Sequence, residues 1–215
     1  MATTPRKSTP TRWARQRFLD AGLAVLAERG YAGLKLATVC QRAGATTGSF
    51  YHGFSSWGAY TRDLIGYWRE DQSQRLIEDA MGIDDPWARL DRLVQIGMDL
   101  DPNSESAIRV WAAHDPVVLS HLTEVDEIRH AAIRDTYLEG GGDPVHADHF
   151  ARVAMYLLVG YQSGTLRSDS ALALGYRTIV DAVAALAGHD RRSAGGAAAD
   201  GAKRTRRIAS DPFVN

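Results

Sequence analysis

This sequence has a single cysteine, and it lacks long apolar runs and a signal segment. One cysteine in 215 residues cannot form an intrachain disulfide, so a cytoplasmic location is the expectation. No apolar run approaches the ~20 residues that cross a bilayer, and the basic N-terminus has no apolar signal segment, so no membrane partner is expected. No Cys/His cluster has metal-ligand spacing, and neither a glycine-rich phosphate loop nor a nucleophile elbow occurs. We therefore expect no cofactor, no metal and no enzymatic activity.

Charge is distributed unevenly along the chain, although the net charge is only −1. Residues 1–62 hold nine Lys/Arg against two Asp/Glu, residues 63–188 hold ten against twenty-one, and residues 189–215 hold six against three. A basic N-terminal quarter suits a polyanion, because each phosphate contact releases condensed counterions. Chance segregation of charge between two domains is the alternative interpretation.

The stretch 36–60 has the pattern of a helix-turn-helix. Its first helix has apolar positions at helical spacing, and Gly44 ends that helix because glycine adopts the left-handed conformation without steric cost. Thr46 or Thr47 can cap the second helix, whose N-terminus would then be exposed. In this motif the second helix enters the DNA major groove, so the stretch predicts DNA binding.

The helix-turn-helix lies in a run, AERGYAGLKLATVCQRAGATTGSFYHGFSS, that follows an amphipathic helix predicted over residues 11–29. This region resembles the DNA-binding domain of the tetracycline-repressor (TetR) family of bacterial regulators. The resemblance covers residues 12–65 and is carried by several ordered matches, namely Phe18, Ala21, Leu26, Glu28, Arg29, Gly30, Tyr31, Gly33, Val39, Arg42, Ala43, Gly44, Gly48, Phe50, Tyr51, His52 and Phe54. It implies a DNA-binding transcription regulator, commonly a repressor.

Three positions depart from the family pattern. Lys35 stands where a capping Ser or Thr is usual, and Gly53 stands where a tyrosine is usual, which predicts a looser end of the recognition helix. Trp57-Gly58 replaces a Lys-Glu pair whose lysine typically anchors to a phosphate, and an indole can donate only one hydrogen bond.

The candidate DNA-binding residues lie in and around this motif. The hydroxyl and glycine positions at the start of the recognition helix are expected near base edges, where short side chains read sequence weakly and shape contributes. The resemblance implies phosphate contacts by Tyr51 and His52, and cations such as Arg15 and Arg17 lie nearby. The predicted set is Arg12, Lys35, Arg42, Thr46, Thr47, Gly48, Ser49, Tyr51, His52 and Trp57. For Cys40, alanine-like packing is favoured over a redox role.

The remainder of the chain predicts only helices, so the fold class is all-α. One long helix is expected from about residue 56 to 81, and four Asp-Pro pairs suit helix starts, with Asp at the N-cap and Pro at the first helical position. They predict helices over 86–99, 102–114, 116–139 and 144–164, and a last helix follows Ser168. The predicted organisation is a flexible basic arm (1–10), a three-helix helix-turn-helix DNA-binding domain (11–55), a larger helical ligand-binding and dimerisation domain (56–188) and a disordered basic tail (189–215).

The resemblance implies a pocket for a small-molecule effector within the larger domain. Aromatic walls with a few polar groups are typical of such sites, although each aromatic can equally be ordinary core. The candidate residues are Trp68, Trp87, Arg109, Trp111, His114, Tyr137, Tyr156 and Gln162. The resemblance also implies a homodimer through the last two helices, and hence a palindromic operator.

The sequence thus predicts a cytoplasmic, homodimeric, ligand-responsive transcription regulator, most simply a repressor. Two alternatives remain at this stage. One is a helical enzyme with a basic head, which would need a catalytic group that the sequence does not offer. The other is a protein-interaction module of the same fold that has lost specific DNA binding, for which Gly53, Trp57 and Gly58 are the support.

Overall fold

The computed structural model describes residues 9–188, with side chains from Trp13 onward except that of Gln72. Within this range the chain forms ten α-helices and no strand, which confirms the all-α prediction. The helices are α1 (Thr9–Gly33), α2 (Leu36–Arg42), α3 (Thr47–Gly53), α4 (Trp57–Arg69), α5 (Arg75–Met81), α6 (Pro86–Asp99), α7 (Pro102–Ala112), α8 (Pro116–Glu139), α9 (Pro144–Ser163) and α10 (Asp169–Leu186). Residues 1–8 of the predicted arm and the whole predicted tail lie outside the described residues.

All four Asp-Pro pairs begin helices as predicted. The side chain of each aspartate accepts a hydrogen bond from a backbone N–H in the first turn, and the following proline occupies the first helical position. Asp85, for example, accepts from the N–H of Ala88 at 2.8 Å. These caps satisfy amide groups that have no partner inside the helix, so the sequence positions the helix starts closely.

The predicted long helix after residue 56 differs from the structure in one respect. Between α4 and α5, residues Glu70–Gln74 form a π-helical turn. Ser73 lies in this turn, is 1% exposed, and accepts a hydrogen bond from Arg129 of α8 at 2.9 Å. Because π-turns in proteins are rare and concentrate at functional sites, this segment is relevant to the cavity described below.

The N-terminal unit, α1 to α3, is built around Phe50 of α3. This side chain is 0% exposed and its ring lies 5.4 Å from that of Phe18, 5.2 Å from that of Phe54 and 5.1 Å from that of Tyr60. The same apolar cluster continues through α4 into α7 and α8, so the N-terminal unit packs directly on the rest of the chain.

The C-terminal unit, α4 to α10, contains three further apolar clusters contributed mainly by α6, α8, α9 and α10. Four large side chains of α4 and α5 are buried in its interior, namely those of Tyr60, Leu64, Trp68 and Ile77. None of the described helices is both long enough and apolar enough to cross a membrane.

Candidate DNA-binding surface and effector cavity

The helix-turn-helix forms as predicted, with Gly44 and Thr46 fixing its turn. Gly44 has a φ of 57°, a conformation that glycine adopts without strain. Thr46 caps α3, because its hydroxyl accepts a hydrogen bond from the N–H of Ser49 at 3.1 Å. At the start of α2, Lys35 makes no capping hydrogen bond with its side chain, which confirms the weak cap expected there.

The predicted base-reading and phosphate-contacting residues share one exposed surface. Thr46, Thr47, Gly48 and Ser49 are all exposed at the N-terminus of α3, and Tyr51 and His52 are exposed one turn further on. The ring of Tyr51 lies edge-on to that of Phe50 at 5.3 Å, so the buried anchor limits where its hydroxyl can reach.

Two arginines of α1 bind the turn of the motif and the C-terminus of its recognition helix. Arg17 donates to the carbonyl oxygen of Gly44 at 3.0 Å. Arg15 donates to the carbonyl oxygen of Gly53 and to the carboxylate of Asp63, and its guanidinium lies 4.5 Å from the centre of the Phe54 ring. The recognition helix therefore has a fixed C-terminus, in contrast to the looser end predicted from Gly53. Arg15 lies 38 residues before Gly53, so no local sequence signal indicates this contact.

The remaining residues predicted to contact DNA have different surroundings in the structure. Arg42 forms an ion pair with Glu28 at 3.0 Å, and Lys35 is exposed. The half-buried ring of Trp57 packs 5.0 Å from that of Tyr60, so this residue completes the aromatic core at the position where the family usually has a phosphate anchor. Only the backbone of Arg12 is described, in α1.

Cys40 is a buried packing residue, as expected. It is 5% exposed in the core between α1 and α3, and this burial raises the pKa of its thiol. A neutral thiol is a poor nucleophile, so the environment does not favour redox chemistry.

A separate cavity lies inside the C-terminal unit, among α5, α6, α8, α9 and α10. The space that the centre of a water molecule can reach has a volume of about 50 Å³, several times what one ordered water needs. Of its seventeen lining residues only Ser73, Arg129 and Tyr176 are polar. The apolar walls include Leu93, Ile133, Phe150, Met155, Leu158 and Ile179.

The charge of Arg129 is neutralised beside the cavity by Glu105 of α7. Arg129 donates to the two carboxylate oxygens of Glu105 at 2.8 Å and 3.3 Å, and both side chains are buried. The indole N–H of Trp68 in α4 donates to the same carboxylate at 2.9 Å, while Arg129 also holds Ser73. We call these four residues, Ser73, Trp68, Glu105 and Arg129, the buried polar network. It joins the cavity wall to α4, the helix that leads back to the N-terminal unit.

None of the eight predicted effector residues lines this cavity. Trp68 belongs to the buried polar network, Arg109 pairs with Asp126 at 2.9 Å, and the ring of Trp111 stacks on that of Tyr31 at 5.7 Å. Trp87 and Tyr137 pack in one apolar cluster, while His114 and Tyr156 are exposed. Gln162 is 1% exposed, and its amide has no hydrogen-bond partner within the described part of the chain.

The walls of this cavity are mainly aliphatic, whereas the effector residues predicted from the sequence are mostly aromatic. One signal was available in the sequence. Gly97 stands in the middle of the amphipathic helix α6, where glycine weakens a helix, and it lines the cavity next to Tyr176. An unexplained glycine on the inward face of such a helix often has a packing reason.

Comparison with known proteins gives the same architecture. Residues 18–56 match the family model of the bacterial regulatory proteins of the tetR family. No curated protein shows significant sequence similarity to the chain.

Several solved structures share the fold over most of the chain. A TetR transcription regulator from Haloarcula marismortui is 19% identical with a TM-score of 0.69, over 81% of this chain and 98% of that chain. A transcriptional regulator from Saccharomonospora viridis in complex with choline is 16% identical with a TM-score of 0.68, over 79% of this chain and 96% of that chain. A TetR-family regulator from Rhodococcus sp. is 17% identical with a TM-score of 0.67, over 80% of this chain and 98% of that chain.

Proposed function

We propose that this chain, whose residues 18–56 match the tetR family model, is a transcription regulator that represses transcription as a homodimer bound to a palindromic operator. We further propose that a small molecule in the C-terminal cavity releases it from DNA. The observation that carries this proposal is that the exposed surface of α3 and the C-terminal cavity are joined through α4 and the buried polar network. The regulator would act in the cytoplasm, where the DNA of a bacterial cell lies.

DNA recognition is proposed to use two kinds of contact. The hydroxyl groups and the bare backbone at Thr46, Thr47, Gly48 and Ser49 would face base edges, and Tyr51 with His52 would bind phosphates. Arg15, Arg17 and Arg42 are held by protein groups, so part of the +7 charge of residues 1–62 serves the fold of the head. Of the other six cations in residues 1–62, we propose Arg12, Lys35 and Arg62 for contacts with the phosphate backbone.

Release by an effector requires different affinities of the ligand for the DNA-competent and released states. Arg129 supports such a link, because it lines the cavity and also binds Glu105 and Ser73 in two other elements. A ligand that packs against Arg129 and shifts it, with its bonds to Glu105 and Ser73 intact, would move the partner of Trp68 in α4 and the π-helical turn together. The predicted effector residues Arg109 and Trp68 would then act indirectly, through packing and charge, and not as ligand contacts.

The ligand of one structural neighbour does not match the charge of this cavity. The Saccharomonospora viridis regulator was solved with choline, a cation. In the described part of this chain no Asp or Glu lines the cavity, and its one charged lining residue is an arginine. A cation would therefore enter without a counter-charge, so we do not propose choline as the effector of this chain.

The proposed dimer uses exposed stripes on α9 and α10. On α9, Val145, Val153, Tyr156 and Gly160 are exposed and recur at helical spacing. On α10, the exposed stripe consists of Ala171, Leu174, Thr178, Ala182 and Ala185. Large apolar side chains that a monomer leaves in water, next to small ones that allow close approach, favour a helix-packed interface with a second copy.

Selection of bound duplexes from a random library tests the proposal as a whole. We expect a palindromic site whose half-sites are about one helical turn apart, and weaker binding when a cavity ligand is added. Selection of no duplex at low salt would contradict the proposal and would favour the interaction module.

Replacing Tyr51 and His52 together with alanine is expected to weaken binding to all duplexes by a similar factor, about tenfold or more. The loss should be uniform because phosphate contacts carry no sequence information. Fluorescence anisotropy with cognate and unrelated duplexes at several salt concentrations measures it. Ser49→Ala is the contrasting variant, since it should change the preference among duplexes. Unchanged binding of the double variant at every salt concentration would disprove the phosphate assignment.

Replacing Leu174 with arginine is expected to convert the dimer into monomers and to abolish tight operator binding. Leu174 is 62% exposed in the single chain, so the monomer fold should tolerate the charge, whereas an apolar interface would not. Leu166→Arg is the matched control, because Leu166 is 97% exposed in the turn between α9 and α10. Light scattering after gel filtration reports the mass of each variant. A dimeric Leu174→Arg variant would place the interface elsewhere.

A further inference from the structure

We propose that the cavity binds a neutral, mainly apolar small molecule carrying one hydrogen-bond acceptor, such as a ketone, ester or ether oxygen, which receives a hydrogen bond from the hydroxyl of Tyr176. The inference rests on the proposal that this cavity is the effector site, and it adds the chemical class of the ligand.

The described cavity wall offers a ligand no unpaired charge. Arg129 is 5% exposed, and its guanidinium is occupied by Glu105 and Ser73. An anion would have to compete with the carboxylate of Glu105, and a cation would meet the arginine with no lining carboxylate to pair with it. Transfer of an unpaired charge from water into such a site is strongly unfavourable. The charge state of the walls therefore selects a neutral ligand.

Tyr176 supplies a hydrogen-bond donor at the cavity wall. It lines the cavity, is 6% exposed, and its hydroxyl makes no hydrogen bond within the described part of the chain. Burial raises the pKa of this phenol, so the group stays protonated and acts as a donor. The hydroxyl oxygen is not one of the fully buried polar atoms without a partner, so the acceptor of a ligand can reach it.

Residue 97 of α6 is a glycine that lies against the Tyr176 hydroxyl. A Cβ atom there would lie 3.3 Å from the hydroxyl oxygen. The missing side chain thus gives the hydroxyl room next to α6, at the edge of the cavity. Val94, Tyr176 and Val180 line both the cavity and an outer groove between α6 and α10, and the charged residues Asp91, Arg177 and Asp181 lie in that groove and do not line the cavity. The acceptor of the ligand is therefore placed beside Tyr176 on the cavity side, and its apolar body among Leu93, Met155 and Leu158.

The test is to measure the affinity of the full chain for four probes with the same six-membered ring. Cyclohexanone offers one acceptor, methylcyclohexane offers none, cyclohexanecarboxylate is an anion and cyclohexylammonium is a cation. Ligand-detected NMR on the protein without DNA gives each Kd. We expect cyclohexanone to bind at least tenfold more tightly than either ion. Comparable or tighter binding of an ion, or binding of none of the four probes, would overturn the proposal.

Variants locate the binding within the cavity. Tyr176→Phe should weaken cyclohexanone binding about two- to tenfold, which corresponds to one neutral hydrogen bond, and leave methylcyclohexane binding unchanged. Ala154→Phe should fill the cavity and abolish binding of both. If Ala154→Phe does not fold, Gly97→Ala provides the second measurement, because its new methyl group should crowd the hydroxyl and weaken cyclohexanone selectively. Equal affinity of cyclohexanone for the wild type and for Tyr176→Phe would overturn the assigned donor.

A titration of operator DNA with saturating cyclohexanone separates this inference from the function on which it rests. Release of the operator supports both. Selective binding of cyclohexanone with unchanged operator affinity supports the ligand class and contradicts the effector role of the cavity.

Discussion

Replacing Glu105 with alanine is expected to lower the free energy of unfolding by roughly 3–5 kcal/mol, the usual cost of leaving one partner of a buried ion pair uncompensated. Glu105 is 2% exposed and Arg129 is 5% exposed, so water cannot solvate the arginine that remains. The variant also removes the acceptor of the Trp68 indole N–H, which is buried as well. Urea denaturation followed by circular dichroism, at one fixed protein concentration, measures the loss.

The double variant Glu105→Leu with Arg129→Met is the control for this result. It removes both charges and replaces them with apolar side chains, which in other proteins is often neutral or stabilising. We expect it to recover most of the lost stability, because the cost arises from the unpaired charge. A double variant as unstable as Glu105→Ala would show that the destabilisation comes from lost packing and would contradict this explanation.

The same double variant tests the proposed link between the cavity and the N-terminal unit. If the buried polar network transmits ligand binding, a stable protein without it should bind operator DNA but respond weakly to a cavity ligand. An undiminished response would show that the coupling runs through other contacts between α4 and the C-terminal unit.

Replacing Phe50 with alanine is expected to cost roughly 3–5 kcal/mol and to abolish operator binding. The ring of Phe50 lies within 6.0 Å of those of Phe18, Tyr51, Phe54, Trp57 and Tyr60, so its removal leaves a cavity that several rigid rings cannot fill by small movements. The N-terminal end of α3 would lose its attachment to the core. Thermal unfolding and operator titration report the two consequences.

Tyr51→Ala is the matched control, because Tyr51 is the next residue on the same helix and is 51% exposed. It should change stability little and weaken DNA binding uniformly. The pair of variants therefore separates the packing role of α3 from its contact role. A Phe50→Ala protein within about 1 kcal/mol of the wild type would mean that the core of the head is organised around another side chain.

Trp57 departs from the family pattern, and its ring packs in the core of the N-terminal unit. From the sequence, Trp57 suggests a lost phosphate anchor and possible loss of DNA binding. In the structure its ring joins the cluster around Phe50, and Ser56 caps α4 by accepting a hydrogen bond from the N–H of Ala59 at 3.0 Å. Trp57 thus takes part in the packing of the N-terminal unit, and we expect the phosphate anchoring to be supplied by other residues.

The sequence by itself determined the elements of this protein, because their signals are local. A helix start depends on an aspartate and a proline within its first turn, and a helix-turn-helix depends on a glycine and a capping threonine within a few residues of each other. The family resemblance rests on the same kind of short-range order, which is why the all-α fold and the DNA-binding motif were both predicted.

Only the tertiary structure decided where the cavity lies and which polar groups are occupied. Arg15 meets Gly53, and Arg129 meets Ser73 and Glu105, across separations of 24 to 56 residues that leave no periodic trace in the sequence. The cavity exists because residues from five helices do not fill the space between them, and an unfilled volume is a property of packing and not of any segment. For the same reason, the sequence suggested mainly aromatic effector residues, none of which lines this cavity, while the cavity itself has mainly aliphatic walls together with Phe150 and Tyr176.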